Sequence, residues 1–167
     1  YKAVVTLGFG AEYGKISLSR LCSTHIDLQV IWALVINRSS VDISIIEGHR
    51  SIKKQQEYYA IGRSVEVNRR PITNVDGIHV ISKHNEMPSM AVDFCAYHSD
   101  KLIRNEIAYN QAHLSYIYGL VDSCAKELYE KGMTTHLTRW GGNWDRDGIL
   151  FFDQNLDDAP HVELYKP

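Results

Sequence analysis

Apolar residues recur at helical spacing through Leu21, Leu28, Ile31, Leu34 and Val35, which predicts a helix from Leu18 to about Asn37, ended by Arg38-Ser39-Ser40. The period then changes. Val41-Asp42-Ile43-Ser44-Ile45-Ile46 alternates and is β-branched, so it predicts a strand with Glu47-Gly48-His49-Arg50 at its exit. Ser51 can cap a short helix to about Ile61, because its hydroxyl accepts a hydrogen bond from a first-turn amide. Residues 62–83 are polar and turn-rich, with Pro71, Asn74 and Asp76-Gly77, and read as a loop. Ala91 to Ala96 reads as a second strand, whose period of two puts Ala91, Asp93 and Cys95 on one face and Val92 and Phe94 on the other.

Further on, Ile103, Ile107, Leu114, Ile117, Val121, Cys124 and Leu128 recur every three or four positions. They predict one long amphipathic helix from about Leu102 to Glu130, terminated by Lys131-Gly132. Extended segments are expected at Leu137 to Trp140 and at His161 to Leu164, the latter with His161 and Glu163 on one face. Helices and short strands in mixed order, without a βαβ rhythm, give the α+β class.

At 167 residues, with no linker, repeat or low-complexity run, a single domain over 1–167 is the natural count. The net charge of −2, from 18 basic and 20 acidic residues spread through the chain, offers no field for gathering polyanions, so nucleic acid is not an expected partner. Cys22, Cys95 and Cys124 are odd in number and fall in predicted helix or strand, which favours buried free thiols over a disulfide framework. No signal-peptide pattern and no apolar run of membrane-spanning length is present, so no membrane insertion is expected.

The candidate chemistry lies in His84, Asp93 and His161, with Asp158 three residues before the last. An acid in the middle of an apolar strand is costly to bury unless it is paired or holds a metal, and Ala91 and Cys95 leave room beside Asp93 for an ion. Two histidines and a carboxylate make a catalytic zinc site with its fourth position open to water, which zinc acidifies to a pKa of roughly 7. Asp158 can then serve as the carboxylate that moves protons. A thiol mechanism centred on Cys95 is disfavoured, because a buried thiol beside an acid is a weak nucleophile.

The ordered segments Ser19-Arg20-Leu21, His25-Ile26-Asp27-Leu28, Glu47-Gly48-His49-Arg50-Ser51, Ser82-Lys83-His84, Pro88-Ser89-Met90-Ala91-Val92-Asp93, Arg139-Trp140-Gly141-Gly142-Asn143-Trp144 and Asp158-Ala159-Pro160-His161-Val162-Glu163-Leu164 span nearly the whole chain. Together they resemble the zinc D-Ala-D-Ala carboxypeptidase superfamily, and within it the L-alanyl-D-glutamate peptidases that serve as phage endolysins. The resemblance implies a small, mostly antiparallel sheet flanked by helices, with Zn2+ on its open face held by His84, Asp93 and His161. It implies Asp158 as general base, Arg50 as the cation that holds the scissile carbonyl and its oxyanion, and Ser82 as a substrate contact. Trp140 is a candidate substrate-packing residue, alternatively a core tryptophan, and Glu163 is expected to support a ligand.

One departure is the spacing of eight residues between His84 and Asp93, longer than the family's commoner form, with Glu86 or His79 as substitute ligands if the register differs. Asp158 could instead join Asp153 and Asp157 as a calcium-binding surface group. His25, His98, His113 and His136 read as structural or solvated, and His49 is left open. The expected protein is a monomeric, single-domain endolysin that cuts the peptidoglycan stem peptide between L-alanine and D-glutamate and carries no cell-wall-binding module. It is made in the host cytoplasm and released through a separately encoded pore. The alternatives are a D-Ala-D-Ala carboxypeptidase or dipeptidase on the same scaffold, and a non-catalytic zinc-containing binding module.

Overall fold

The computed structural model describes residues 12–151 and 157–167, so Asp153 lies outside the described residues. Four strands, β1 (Asp42–Glu47), β2 (Ala91–Tyr97), β3 (Leu137–Gly141) and β4 (Asp158–Tyr165), form one antiparallel sheet in the order β1-β2-β4-β3. Five helices surround it: α1 (Lys15–Leu21), α2 (Ile26–Arg38), α3 (Ile52–Ala60), α4 (Lys101–Ile107) and α5 (Gln111–Glu130). Among the described residues, no helix is long and apolar enough to cross a membrane.

One face of the sheet builds the core. Ile43, Ile45, Val92, Phe94, Ala96, Trp140, Val162 and Leu164 are buried with the apolar stripes of α2 (Leu28, Ile31, Trp32, Val35) and α5 (Leu114, Ile117, Val121, Cys124, Leu128). Each large side chain fully buried there contributes about 1.5–3 kcal/mol by area removed from water. The exposed edge of β1 is covered by α1, where Ser17 Oγ accepts from the Ile45 amide at 3.1 Å and Arg20 donates to the Ile45 carbonyl at 2.9 Å. These bonds satisfy the edge groups that would otherwise pair with another chain.

The two long helices expected from periodicity are each broken. Between α1 and α2 the chain turns through Cys22–His25, where the His25 amide donates to the Ser89 carbonyl and the Ser89 amide to the Ser23 carbonyl. That turn answers a partner far away in sequence, which local spacing cannot register. Between α4 and α5 the Asn110 side chain accepts from the amides of Ala112 and His113, so it starts a new helix where the apolar stripe alone runs on. β4 also begins earlier than expected, at Asp158. All three cysteines are free, with Cys95 and Cys124 buried but Cys22 exposed, against the expectation that all would be buried.

Candidate metal centre

The other face of the sheet is polar. Asp93 of β2 stands in register between Glu47 of β1 and His161 of β4, and Arg139 of β3 stands opposite Glu163 of β4. Glu47 reaches this face only because Ile46 is an extra residue in the pairing: Ile45 faces Phe94 and Glu47 faces Asp93, so the bulge reverses the alternation that buries Ile43 and Ile45. His84 comes from outside the sheet, on a single 3-10 turn, Lys83–Asn85. Ser82 starts that turn, its hydroxyl accepting from the His84 amide and its amide donating to Asn85 Oδ1. The Arg50 amide donates to the His84 carbonyl, and Asn85 donates back to the Arg50 carbonyl.

Gly48 completes the mount. Its carbonyl accepts from His84 Nδ1 at 2.7 Å, and any Cβ at position 48 would run into the Arg20 carbonyl and Ser23 Oγ. The Gly48-His49-Arg50 run at the strand exit therefore supplies a close backbone approach that only glycine permits.

His84 Nε2, Asp93 Oδ1 and His161 Nδ1 form a triangle with all three sides 3.1 Å. Four ligands placed 2.0–2.1 Å from a tetrahedral zinc lie about 3.3 Å from one another, so the triangle matches one face of that tetrahedron. The outer atoms of each ligand are committed elsewhere. His84 Nδ1 donates to Gly48, His161 Nε2 donates to Glu163 Oε2 at 3.1 Å, and Asp93 Oδ2 accepts from Arg50 at 3.2 Å. With those bonds in place the inner ring nitrogens and the carboxylate oxygen turn lone pairs toward a common point, which a cation or a shared proton can satisfy.

The titration of these groups reflects this. Burial favours a neutral His161, but hydrogen bonds to Asp93 and Glu163 and the nearby acids outweigh it and push the ring up to about 10. Burial likewise favours a protonated Asp93, yet His84 and His161 hold its carboxyl well below the usual range. A metal occupying the triangle would take the place of the His161 proton.

Asp158 begins β4 beside this triangle, near enough for the charges of His161, Asp93, His84 and Arg50 to act on it. Burial, followed by the negative charge of Asp93, raises its carboxyl. Gly141 pairs with Asp158, and a Cβ there would collide with the Asp158 carbonyl, which gives the Trp-Gly-Gly run a structural reason. Glu163 is buried and also pairs with Arg139, so it holds His161 from behind, as expected of it.

Several of the expected residues take particular places. Arg50 is turned inward, 8% exposed: Nε and Nη2 donate to Glu47, Nη2 to Asp93 and Nη1 to Gln55, so these donors orient the Asp93 carboxylate. Trp140 is 1% exposed, stacked on Tyr118, with its indole donating to the Ala159 carbonyl, which makes it a core residue. The half-buried Trp144 is instead the indole beside His161, with ring centroids 5.3 Å apart. Glu86 pairs with Lys83 and His79 with Asp76 on the surface, so neither substitutes for His84. The sequence offers Glu47 only as part of the strand exit and Gln55 only as a bland helical residue, and the sole signal for either is its proximity to Arg50.

The chain matches the phage L-alanyl-D-glutamate peptidase family over residues 9–165, and it belongs to that family. Its activity is therefore hydrolysis of the L-alanyl-D-glutamate bond of peptidoglycan. Among solved structures, the crystal structure of the Serratia marcescens L-Ala D-Glu endopeptidase ChiX shares the fold. The TM-score is 0.62 at 23% identity, over 93% of this chain and 91% of that one. No curated protein matches the sequence.

Proposed function

We propose that this peptidase is zinc-dependent and acts as a phage endolysin, with His84, Asp93 and His161 as zinc ligands and Asp158 as the general base. The observation that carries the metal reading is the 3.1 Å triangle of inward-facing atoms, each backed by a committed outer contact. A zinc ion there would polarise the scissile carbonyl and acidify a water to a pKa of roughly 7.

The chain's own residues do the rest. Asp158, raised by burial and by Asp93, accepts the proton of the attacking water and returns it to the leaving amine of D-glutamate. Arg50 keeps Asp93 anionic and turned toward the centre, and Glu163 fixes the tautomer of His161. Ser82 seats the turn that carries His84, and Trp144 walls the cleft on the β4 side. The lysis role implies synthesis in the host cytoplasm and action on the wall after release through a separate pore.

Digestion of purified sacculi tests the reading. The expected products carry a new N-terminal D-glutamate and leave L-alanine on the glycan-linked lactyl group, and a chelator abolishes their release until zinc is restored. Release of D-alanine alone would place the activity in a carboxypeptidase. Full activity after exhaustive removal of metal would remove zinc from the mechanism.

A further inference from the structure

Gln55 on α3 is fully buried, and an amide in that position is costly unless its hydrogen bonds are met. They are met in two directions. Oε1 accepts from Arg50 Nη1 at 2.9 Å, while Nε2 donates to the Val75 carbonyl at 2.6 Å and to Thr73 Oγ1 at 3.2 Å. Gly77, in a left-handed conformation with φ of 78°, lies so close that a Cβ there would press on Gln55 Cγ. The glutamine thus joins the catalytic-face arginine to the Thr73–Gly77 stretch of the long loop.

Arg50 explains why that bond matters. Its guanidinium lies over the Tyr58 ring at 4.9 Å, a contact that holds the group against the ring without fixing its rotation. Glu47 holds one edge, through Nε and Nη2. The Nη1 bond to Gln55 is the remaining constraint, and a planar fork fixed at Nη1 and Nε has its Nη2 direction fixed as well. That direction is the one that meets Asp93 Oδ2.

We infer that Gln55 is a positioning residue: it locks the Arg50 guanidinium against Asp93, presents Asp93 Oδ1 to the metal centre, and ties the Thr73–Gly77 segment to the same arginine. The inference rests on the metal reading given above.

The test measures zinc affinity of the purified chain by competition with a chromophoric chelator, alongside near-UV circular dichroism to confirm folding. Gln55→Met, close in size but without hydrogen bonds, is expected to weaken zinc binding by the ~10–100-fold seen when the partner behind a ligand is lost. Adding Gln55→Met to Arg50→Lys should weaken it little further, because both act through one contact. Gln55→Glu keeps an acceptor for Arg50 but turns an acceptor on Val75. It should hold zinc within about threefold of wild type, while trypsin cuts faster after Arg69. A folded Gln55→Met with zinc affinity within about twofold of wild type overturns the inference and leaves the metal reading standing. Should Gln55→Met not fold, Gln55→Glu decides, and a loss of affinity in it of about tenfold or more overturns the inference. A wild-type chain that takes up no zinc removes both.

Discussion

Among the described residues two clusters share one composition, His84–Asp93–His161 and His25–Asp27–His136, and they are built for opposite ends. In the second, Asp27 Oδ2 accepts three donors: the Thr135 amide at 2.9 Å, the Thr135 hydroxyl at 3.1 Å and His136 Nδ1 at 2.8 Å. His25 Nδ1 accepts from the Asp27 amide and so caps α2, whose first turn also favours the Asp27 charge. The lone pairs are spent on protein donors, and His25 Nδ1 stays 3.8 Å from the carboxylate. In the first cluster the donors point outward and the lone pairs inward. Composition is equal, but only the first cluster closes to 3.1 Å on every side, and the two differ further in where each lone pair goes.

The largest effect should come from trading the same substitution between the clusters. His84→Ala or His161→Ala is expected to lose zinc, and with it turnover, by more than the ~10–100-fold that follows loss of a ligand's supporting partner. Both variants should still fold, with His161→Ala the less stable because it removes the buried partner of Asp93 and Glu163. Asp27→Ala is expected to retain one zinc per chain and to cost about 3 kcal/mol, since it orphans a buried network of charged hydrogen bonds. Elemental analysis with urea denaturation reads both, and zinc lost from Asp27→Ala would erase the distinction.

Within the first cluster, ligand and base should also separate. Asp158→Asn keeps the size of the side chain but cannot take a proton, so zinc and stability should hold while turnover falls by at least ~100-fold. Near-normal turnover would move the base elsewhere, with Asp157 the first residue to examine.

The catalytic half of this contrast was more legible in the sequence than the structural half. Asp93 stands out because an acid in an apolar strand needs a reason, and β2 forms with the faces its alternation predicts. Ser51 caps α3 as its position requires. By contrast, the tie from Asp27 to Thr135 and His136 joins residues over a hundred positions apart, and no local pattern announces it. The inward turn of Arg50 depends on a bulge at Ile46 that brings Glu47 beside it, and bulges follow from pairing rather than from periodicity. Trp140 and Trp144 differ only in which way the chain turns through Gly141 and Gly142, so the sequence left their roles exchangeable.

Acid and base should distinguish the clusters as well. His161 has a folded pKa raised to about 10, so in ion-free protein its stabilising contribution is full below the ordinary histidine value of about 6.5 and is lost as pH rises toward 10. Zinc bound as proposed would replace that proton, so the alkaline loss should vanish in loaded protein, and uptake at pH 8 should release close to two protons per ion, one from His161 and one from the acidified water. Asp27 behaves in the reverse sense. Burial favours its neutral form, but His136 and Thr135 lower its pKa, so its contribution is present above about pH 4 and fades as pH falls through the folded value. Denaturation midpoints across pH, with and without zinc and with Asp27→Asn, check both. An alkaline loss identical in loaded and stripped protein would contradict the first.

The smallest effect sharpens the comparison most finely, because it concerns a histidine that looks like a ligand. If His25 serves only as the cap of α2, its work is to offer one acceptor to the Asp27 amide, and asparagine does that as well as any residue. His25→Asn should then shift stability by no more than a few tenths of a kcal/mol, while His25→Ala costs about 1 kcal/mol. Zinc content and turnover should be unchanged in both, since neither variant touches the triangle. Were His25 instead a metal ligand, asparagine could not replace the imidazole, and metal bound in excess of one ion per wild-type chain would disappear from both variants alike. Thermal melts with added zinc separate the cases: an equal loss in His25→Asn and His25→Ala, seen only with metal present, would make the second cluster a metal site after all.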